Sequence, residues 1–551
     1  MMHGLMQDRP LALPHVFHRA ERLFGHKNIV TATATGEDTM SYAEWAQRVR
    51  RLATVLDQLD LGSQARVGSF GWNTRRHLEL YFAVPCTGRI LHTLNIRLFA
   101  EQLTYIVQHA DDEVIFVDRS LLPVLWPLVG QLPSVRFFVV MDDGADTPIP
   151  ADPRVRDYEN LLAEAEPKQG HFHIDDENTA AALCYTSGTT GNPKGVLYSH
   201  RSTVLHSLMP LTADVFALSE RDILLPVVPM FHVNAWGLPY AAVLAGADLV
   251  FPGPLMTPAA LLRLIERHRV TLTAGVPTIW MGAVPLLKEH DLSSLRLVVG
   301  GGSAVPPTLS ESWREAIGLP ITQAWGMTET SPIGTAATLR SHHADLTQAE
   351  LQRVRASQGQ PVPLVELRIV DPDSGAEQAW DGESAGELQA AGPWIASGYF
   401  GGLGDPSFTD DGWLRTGDVA VIEEDGYLRL VDRVKDLVKS GGEWISSVEL
   451  ENHIMAHPDV YEAAVIAKPD VKWSERPVAF VVVMPGAVLA AEDILEHLRP
   501  RVARWWLPDE IRFIDEVPKT STGKFSKKTL REQLYPAASD THPTAGGGRR
   551  A

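Results

Sequence analysis

Apolar runs of strand length alternate with helical stretches through the first part of the chain, and that alternation leaves few folds open. Ser41 is placed as a helix N-cap and Glu44 closes a capping box with it. Val49, Leu52, Ala53, Leu56 and Leu59 then continue one apolar face at helical spacing. The strand Arg66-Val67-Gly68-Ser69-Phe70 follows, then a helix over 74–86, a strand at Arg89-Ile90-Leu91-His92-Thr93, a helix near 101–108 and a strand over 113–118. Strands joined through helices form a parallel sheet covered on both faces, so the predicted class is α/β. At 551 residues the chain exceeds the roughly 250–300 at which one core stops growing, and at least two domains are expected.

Charge and composition exclude some partners. A net charge of −19 argues against general nucleic-acid binding, although an anionic small substrate sees only local charge. The two cysteines, Cys86 and Cys184, sit among apolar residues and read as buried free thiols in a reducing compartment. The first 23 residues mix His, Arg, Asp and Pro without an apolar segment. The most apolar stretch, 224–251, is interrupted by Pro226, Pro229, His232, Asn234, Pro239 and Asp248 and falls short of a membrane helix. A cytoplasmic protein with no integral membrane segment is expected. His77 and His92 read as packing or hydrogen-bonding residues, without metal-ligand spacing.

The run Tyr185-Thr186-Ser187-Gly188-Thr189-Thr190-Gly191-Asn192-Pro193-Lys194-Gly195 cannot pack a core, yet an apolar strand flanks it on each side. Freed backbone N–H groups, hydroxyls and an ammonium suit a chain of phosphates. The Walker pattern fails, because Lys194 follows proline and precedes glycine and β-branched residues instead of opening a helix. Further on, 224–237 is apolar but punctuated by proline. His232, Val233, Asn234, Trp236 and Gly237 suit the wall of an apolar pocket with a few polar fixtures, with Val276 beside them; a plain core segment with a hydrogen-bonded His232 is the alternative.

Two strand ends offer further polar groups. The strand 295–299 ends in Gly300-Gly301-Gly302-Ser303-Ala304, and the strand 321–324 ends in Trp325-Gly326-Met327-Thr328-Glu329. Loops at the carboxyl ends of parallel strands are where ligands bind in open α/β sheets. From 360 to 431 the texture changes to short strands and turns, with Thr416-Gly417-Asp418 between two of them. Asp418 reads either as a turn aspartate or as a ribose ligand. A charged break at Asp432-Arg433-Val434-Lys435-Asp436 marks the domain boundary, and a small α/β unit follows. Its expected parts include a helix over 491–505, Lys524 at the tip of a Gly/Ser/Thr turn, and a solvated helix face carrying Lys527, Lys528 and Arg531. The last residues, 537–551, read as a disordered tail.

Taken together, these stretches resemble the adenylate-forming superfamily of acyl-CoA synthetases, peptide-synthetase adenylation domains and beetle luciferases. The matching motifs occur in order over nearly the whole chain. Residues 185–195 match the phosphate loop, 300–304 the adenine-side loop, 325–329 the aromatic-Gly-x-Thr-Glu motif, 416–418 the ribose aspartate, 432–436 the hinge and 518–524 the catalytic-lysine loop. Trp325 stands where Tyr is usual and Asp432 where Gly is usual. Both departures look like the fatty-acyl-CoA synthetase branch, as do 229–232 and 439–447. The implied architecture is an N-terminal adenylation domain over 1–432, made of α/β subdomains and a small β-rich subdomain, followed by a small mobile α+β domain over 433–536.

The resemblance also implies a chemistry. A carboxylate attacks the α-phosphorus of ATP, with Mg²⁺ drawing charge from the phosphates and Glu329 as its ligand. Thr186, Ser187, Gly188, Thr189, Thr190 and Lys194 would hold the β- and γ-phosphates, and Thr328 the α-phosphate. Gly301, Gly302, Ser303, Trp325, Gly326, Met327 and Asp418 would receive the nucleoside, with Arg433 beside them. Lys524 would bridge the carboxylate and the α-phosphate. Coenzyme A thiol would then take the acyl group and release AMP, with the small domain pivoting at Lys435 and presenting Lys439 and Trp444. A medium-chain fatty acid is the expected substrate. A short or functionalised acid, such as a methylthio-alkanoate or an aryl acid, is the alternative. A luciferase-like oxygenase and a non-catalytic nucleotide binder stand further off. Relatives in this branch are often dimers, so a homodimer is also in view.

Overall fold

The computed structural model describes residues 2–186, 192–372, 374–402, 406–440, 443–519 and 525–534. The chain divides into two compact units, with the division between Val434 and Lys435.

The first unit contains three sheets. A seven-stranded sheet runs in the order Val155–Asp157, Phe137–Met141, Asp112–Asp118, Arg66–Phe70, Ile90–Thr93, Ala180–Tyr185 and Gly195–Ser199. It is parallel except for its last pair, Ala180–Tyr185 against Gly195–Ser199, which is antiparallel and brackets the hydroxyl-rich run. A nine-stranded sheet has six parallel strands at its centre: Ile321–Gly326, Leu297–Gly301, Leu272–Gly275, Ile223–Pro226, Asp248–Phe251 and Asn28–Thr33. A four-stranded antiparallel sheet follows, of Glu366–Val370, Gly386–Ala391, Leu414–Ile422 and Leu428–Arg433. The predicted α/β class and the β-rich subdomain are both present.

Helix formation follows the sequence signals closely. Ser41 caps the helix Tyr42–Gln58 in a complete capping box with Glu44. That helix buries Trp45, whose ring meets Phe82 edge-on at 5.2 Å, and Phe82 in turn meets Tyr240 at 5.4 Å. Burial of each such side chain is worth about 1.5–3 kcal/mol. The predicted buried thiols are buried and free, and His77 is a hydrogen-bonded core residue, paired with Ser69 Oγ at 3.0 Å.

Several local expectations need correction. The polar stretch 142–177 contributes the strand Val155–Asp157 and the helix Tyr158–Glu164. Tyr158 is fully buried and donates its hydroxyl hydrogen bond to Glu79, a fully buried carboxylate that also pairs with Arg48 at 2.7 Å. A buried charge requires such partners wherever in sequence they lie, and no local pattern announces them. The glycines at 300 and 301 continue the strand Leu297–Gly301 instead of starting a loop. Asp418 is a strand residue, not a turn aspartate, and Asp432 and Arg433, read as the start of the charged break, are the last two residues of the strand before it.

The second unit packs helices against a five-stranded sheet. The strands Val460–Asp470 and Ser474–Val483 form a long hairpin, Glu510–Phe513 pairs parallel with the latter, and Val438–Ser440, itself paired with Glu443–Ile445, joins that same strand at Ser474. The helix expected over 491–505 spans only Ala491–Leu498, since Pro500 cannot continue it. Lys527 does not face solvent: it is 11 % exposed and pairs with Glu451 at 2.7 Å. Arg531 pairs with Asp436. Residues 535–551 lie outside the described part.

Candidate active site

Two of the predicted nucleotide residues, Trp325 and Asp418, meet between two sheets. Strand Ile321–Gly326 carries Trp325, and strand Leu414–Ile422 of the neighbouring sheet carries Asp418. The Trp325 indole N–H donates to Asp418 Oδ2 at 3.0 Å, and Arg433 Nε meets Oδ1 at 2.6 Å. Arg433 also donates to the carbonyl of Thr416 at 3.1 Å. The register pairing Asp418 with Arg433 across two strands makes this possible. A carboxylate has about four acceptor positions, so both oxygens keep room for hydroxyl donors. Trp325 is 7 % exposed, and its ring lies where a Cβ at Gly334 would stand. Its N–H thus orients Asp418.

Next in the chain, Thr328, Glu329 and Thr330 form a short 3₁₀ turn and are all buried. Tyr198, from the strand after the hydroxyl-rich run, donates to the Thr328 carbonyl at 2.7 Å. Glu329 is 5 % exposed. Its Oε1 accepts the Tyr399 hydroxyl at 2.7 Å, while its Oε2 takes no hydrogen bond from a described residue. An open carboxylate oxygen, hard and anionic, is the donor type a magnesium ion takes. Lys194 lies with its Nζ 4.7 Å from the centroid of the Tyr399 ring. Thr186 and Lys194 close the base of the hydroxyl-rich run: the Thr186 N–H donates to the Lys194 carbonyl at 2.9 Å and the Lys194 N–H to Thr186 Oγ1 at 3.0 Å. Ser187, Gly188, Thr189, Thr190 and Lys524 lie outside the described residues. Gly302 has φ of +83°, Ser303 is exposed, and Gly326 and Met327 are half-buried beside Glu329.

The predicted apolar wall has an unusual backbone. Val233, Asn234, Ala235 and Trp236 all have positive φ, from 47° to 58°, and Gly237 follows at 69°. One turn of left-handed helix costs L-residues about 1–2 kcal/mol each, most for a β-branched residue such as Val233. Contacts from both large sheets hold it. Asn234 Oδ1 accepts from Cys184 Sγ at 3.3 Å and from Thr93 Oγ1 at 3.4 Å, both on the seven-stranded sheet. Burial pushes the Cys184 thiol up to about 11, so it remains a protonated donor and not a nucleophile. On the other side, the Trp236 ring approaches Gly301: a Cβ there would stand 3.0 Å from Trp236 Cη2 and 2.9 Å from the Ala324 carbonyl oxygen. Gly237 lies on His206, where a Cβ would come within 2.6 Å of Nδ1. His206 Nε2 accepts the Ile333 N–H at 3.2 Å, and burial lowers its pKa to about 3. His232 is half-buried at the start of the turn, and Val276 is half-buried at the N-cap of helix Pro277–Ala283.

In the second unit, Lys439 and Trp444 face each other across the antiparallel pair of strands, with Lys439 Nζ 4.5 Å from the ring centroid. Trp444 is 45 % exposed, and Lys435 is exposed. Away from these residues, His342, His343 and Asp425 form the one metal-type cluster among the described residues. His343 Nδ1 accepts the Arg340 N–H at 3.2 Å. Its Nε2 lies 3.6 Å from Asp425 Oδ2, and His342 Nε2 lies 3.4 Å from the same oxygen.

Tyr399, Tyr198, His206 and Cys184 were not among the predicted site residues. Only Tyr399 had a local signal, an aromatic residue beside glycine after a strand.

Known proteins fit this geometry. The family model described as AMP-binding enzyme matches residues 17–400, and that of the AMP-binding enzyme C-terminal domain matches 449–524. The long-chain-fatty-acid–CoA ligase of Thermus thermophilus is 48% identical over 535 residues, covering 96% of each chain. The medium-chain-fatty-acid–CoA ligase of Ectopseudomonas oleovorans is 44% identical, covering 97% of each. The 3-methylmercaptopropionyl-CoA ligase of Ruegeria lacuscaerulensis is also 44% identical, covering 97% of this chain and 99% of its own. Among solved structures, the anthranilate CoA ligase AuaEII in complex with anthranoyl-AMP superposes with a TM-score of 0.85 at 27% identity, over 96% of this chain and 99% of that one. The chain therefore belongs to the AMP-binding enzyme family and is an acyl-CoA ligase of the adenylate-forming superfamily, using ATP and coenzyme A.

Proposed function

We propose that the chain activates a medium-chain fatty acid as its acyl-adenylate and passes the acyl group to coenzyme A. The observation that carries the reading is the bonding of Asp418 to Trp325 and the contact of Tyr399 with both Glu329 and Lys194. The first group receives the ribose hydroxyls. The second handles the phosphates, with Thr328 at the α-phosphate and the open oxygen of Glu329 as metal ligand. Bound there, a magnesium ion would offset phosphate charge as the acid carboxylate attacks the α-phosphorus. Thr186 and Lys194, with the hydroxyls between them, hold the pyrophosphate as it leaves. Lys524 supplies positive charge to the transition state. Coenzyme A then takes the acyl group, with Lys439 and Trp444 beside the thioester path. The unit boundary between Val434 and Lys435 supports Lys435 as the pivot for this second half.

An apolar acid is supported by Val233, Ala235 and Trp236 along the wall and by two fatty-acid ligases among the relatives. The second reading, a short functionalised acid, is supported by the 3-methylmercaptopropionyl relative. Pyrophosphate release across acids from acetate to palmitate, with methylthiopropionate and benzoate added, separates the two. The proposal expects the highest kcat/KM for mid-length acids and acyl-CoA formation only with coenzyme A. A maximum at methylthiopropionate or benzoate selects the second reading, and no release with any acid sinks both. Lys524→Ala should slow adenylation by roughly 10²-fold or more, while thiolysis of supplied acyl-adenylate falls far less. Equal losses in the two half-reactions would show Lys524 to have another role.

A further inference from the structure

Tyr399 belongs to no motif used above, yet it touches both phosphate-handling groups. The segment that carries it follows strand Gly386–Ala391 and crosses between them. At one end, the Ala396 N–H donates to the Glu329 carbonyl at 2.8 Å, and Ser331 Oγ donates to the Trp394 carbonyl at 2.8 Å. At the other end, the Phe400 N–H donates to the Gly195 carbonyl at 2.8 Å, at the foot of the hydroxyl-rich run. The Phe400 ring meets His109 edge-on at 5.5 Å, and His109 Nδ1 lies 2.6 Å from the hydroxyl of Tyr185, the residue that begins that run. Backbone and ring contacts therefore fix the segment at both ends. Between them, Tyr399 gives its hydroxyl to Glu329 Oε1 and its ring face to Lys194 Nζ.

We propose that Tyr399 is a positioning residue for adenylation, its hydroxyl aiming Glu329 at the divalent cation and its ring aiming Lys194 at the terminal phosphates. This rests on the roles given to Glu329 and Lys194 in the proposed function. A hydrogen bond to Oε1 selects one carboxylate rotamer and leaves the Oε2 lone pairs for the metal. A ring face attracts an ammonium electrostatically and so restricts where Lys194 Nζ can sit beside the hydroxyl-rich run.

Two substitutions separate the two contacts. Tyr399→Phe removes the hydroxyl and keeps the ring; Tyr399→Leu removes both. Binding of Mn²⁺ in the presence of α,β-methylene-ATP, followed by electron paramagnetic resonance, reads the first contact without turnover. Tyr399→Phe should weaken Mn²⁺ binding by about tenfold, as loss of a hydrogen bond to a charged group does, and leave KM for ATP within about twofold. Tyr399→Leu should raise the KM for ATP as well, and Lys194→Met should then add little in the Leu background compared with wild type. Thiolysis of supplied acyl-adenylate should be unchanged in all of them. Mn²⁺ binding by Tyr399→Phe within twofold of wild type, or additive effects of Tyr399→Leu and Lys194→Met, overturns the proposal. If Tyr399→Leu fails to fold, the Mn²⁺ measurement on Tyr399→Phe decides it alone. Failure of the underlying reading looks different: Glu329→Gln would then bind Mn²⁺ as well as wild type does.

Discussion

The two ends of the proposed site are built on opposite plans. At the nucleotide end, short runs of sequence supply polar side chains that bond one another directly: Trp325 to Asp418, Asp418 to Arg433, Tyr399 to Glu329. At the acyl end, a strained backbone turn is wedged between two sheets by Asn234 on one side and Trp236 on the other. The contrast has a chemical reason. Every substrate of such an enzyme brings the same ATP, so a fixed set of charges serves all of them. The acid varies, and an apolar tail is recognised by shape, which depends on how distant segments pack. On the proposed assignment, polarity sets the reaction at one end and packing selects the acid at the other.

Three measurements bear on that division. The largest effect is expected for Asp418→Ala, which should lower pyrophosphate release by about 100-fold or more, by the same factor for every acid tested. A factor that changes with acid length would show that the ends are coupled. The second effect is on stability. His206 supports the acyl end through Gly237 and has a folded pKa of about 3, against an ordinary value of 6.5, because burial disfavours its charged form. A depressed folded pKa means that stability is fully present above pH 6.5 and is lost as pH falls from 6.5 towards 3, at about 1.4 kcal/mol per pH unit. His77 and His200, each lowered to about 4 chiefly by burial, act in the same direction. The melting temperature of wild type should therefore fall more steeply from pH 7 to pH 5 than that of His206→Gln; equal slopes would remove His206 from the account. The smallest effect is expected for Gly301→Ala. Its methyl group would stand 2.9 Å from the Ala324 carbonyl oxygen and 3.0 Å from Trp236, so strand backbone and ring must both give way, and preference among acids should shift by about three- to tenfold with a smaller change in the KM for ATP. A change in ATP binding with an unchanged acid profile would assign Gly301 to the nucleotide end instead.

The same division explains what the sequence made legible. The α/β alternation, the capping box at Ser41 and Glu44, and the nucleotide motifs are all local, and each was read from a few adjacent residues. Asp418 was found by its motif, but its place within a strand and its bond to Trp325 depend on a partner 93 positions away. The packing of Trp236 on Gly301 and of Gly237 on His206, and the pairing of Asn234 with Cys184, link segments with no shared pattern. The apolar and prolyl residues of 224–237 suggested a pocket wall. Nothing in them suggested left-handed backbone, since Val233 and Trp236 favour the opposite hand. Tertiary contacts overrode local preference there, as they did for the Glu79 cluster, where burial of one charge gathered Arg48 and Tyr158 from far along the chain.

The left-handed turn also bears on the order in which the protein assembles. No local propensity makes such a turn, so it can form only after Cys184 and Thr93 on one sheet and Gly301 on the other are already in place. It is therefore a late element of folding, and its strain is released as soon as the chain opens around it. Substitutions there should alter the rate of unfolding and leave the rate of folding nearly untouched. A lineage could thus retune the acid-binding wall repeatedly without disturbing the nucleus from which the rest of the enzyme folds.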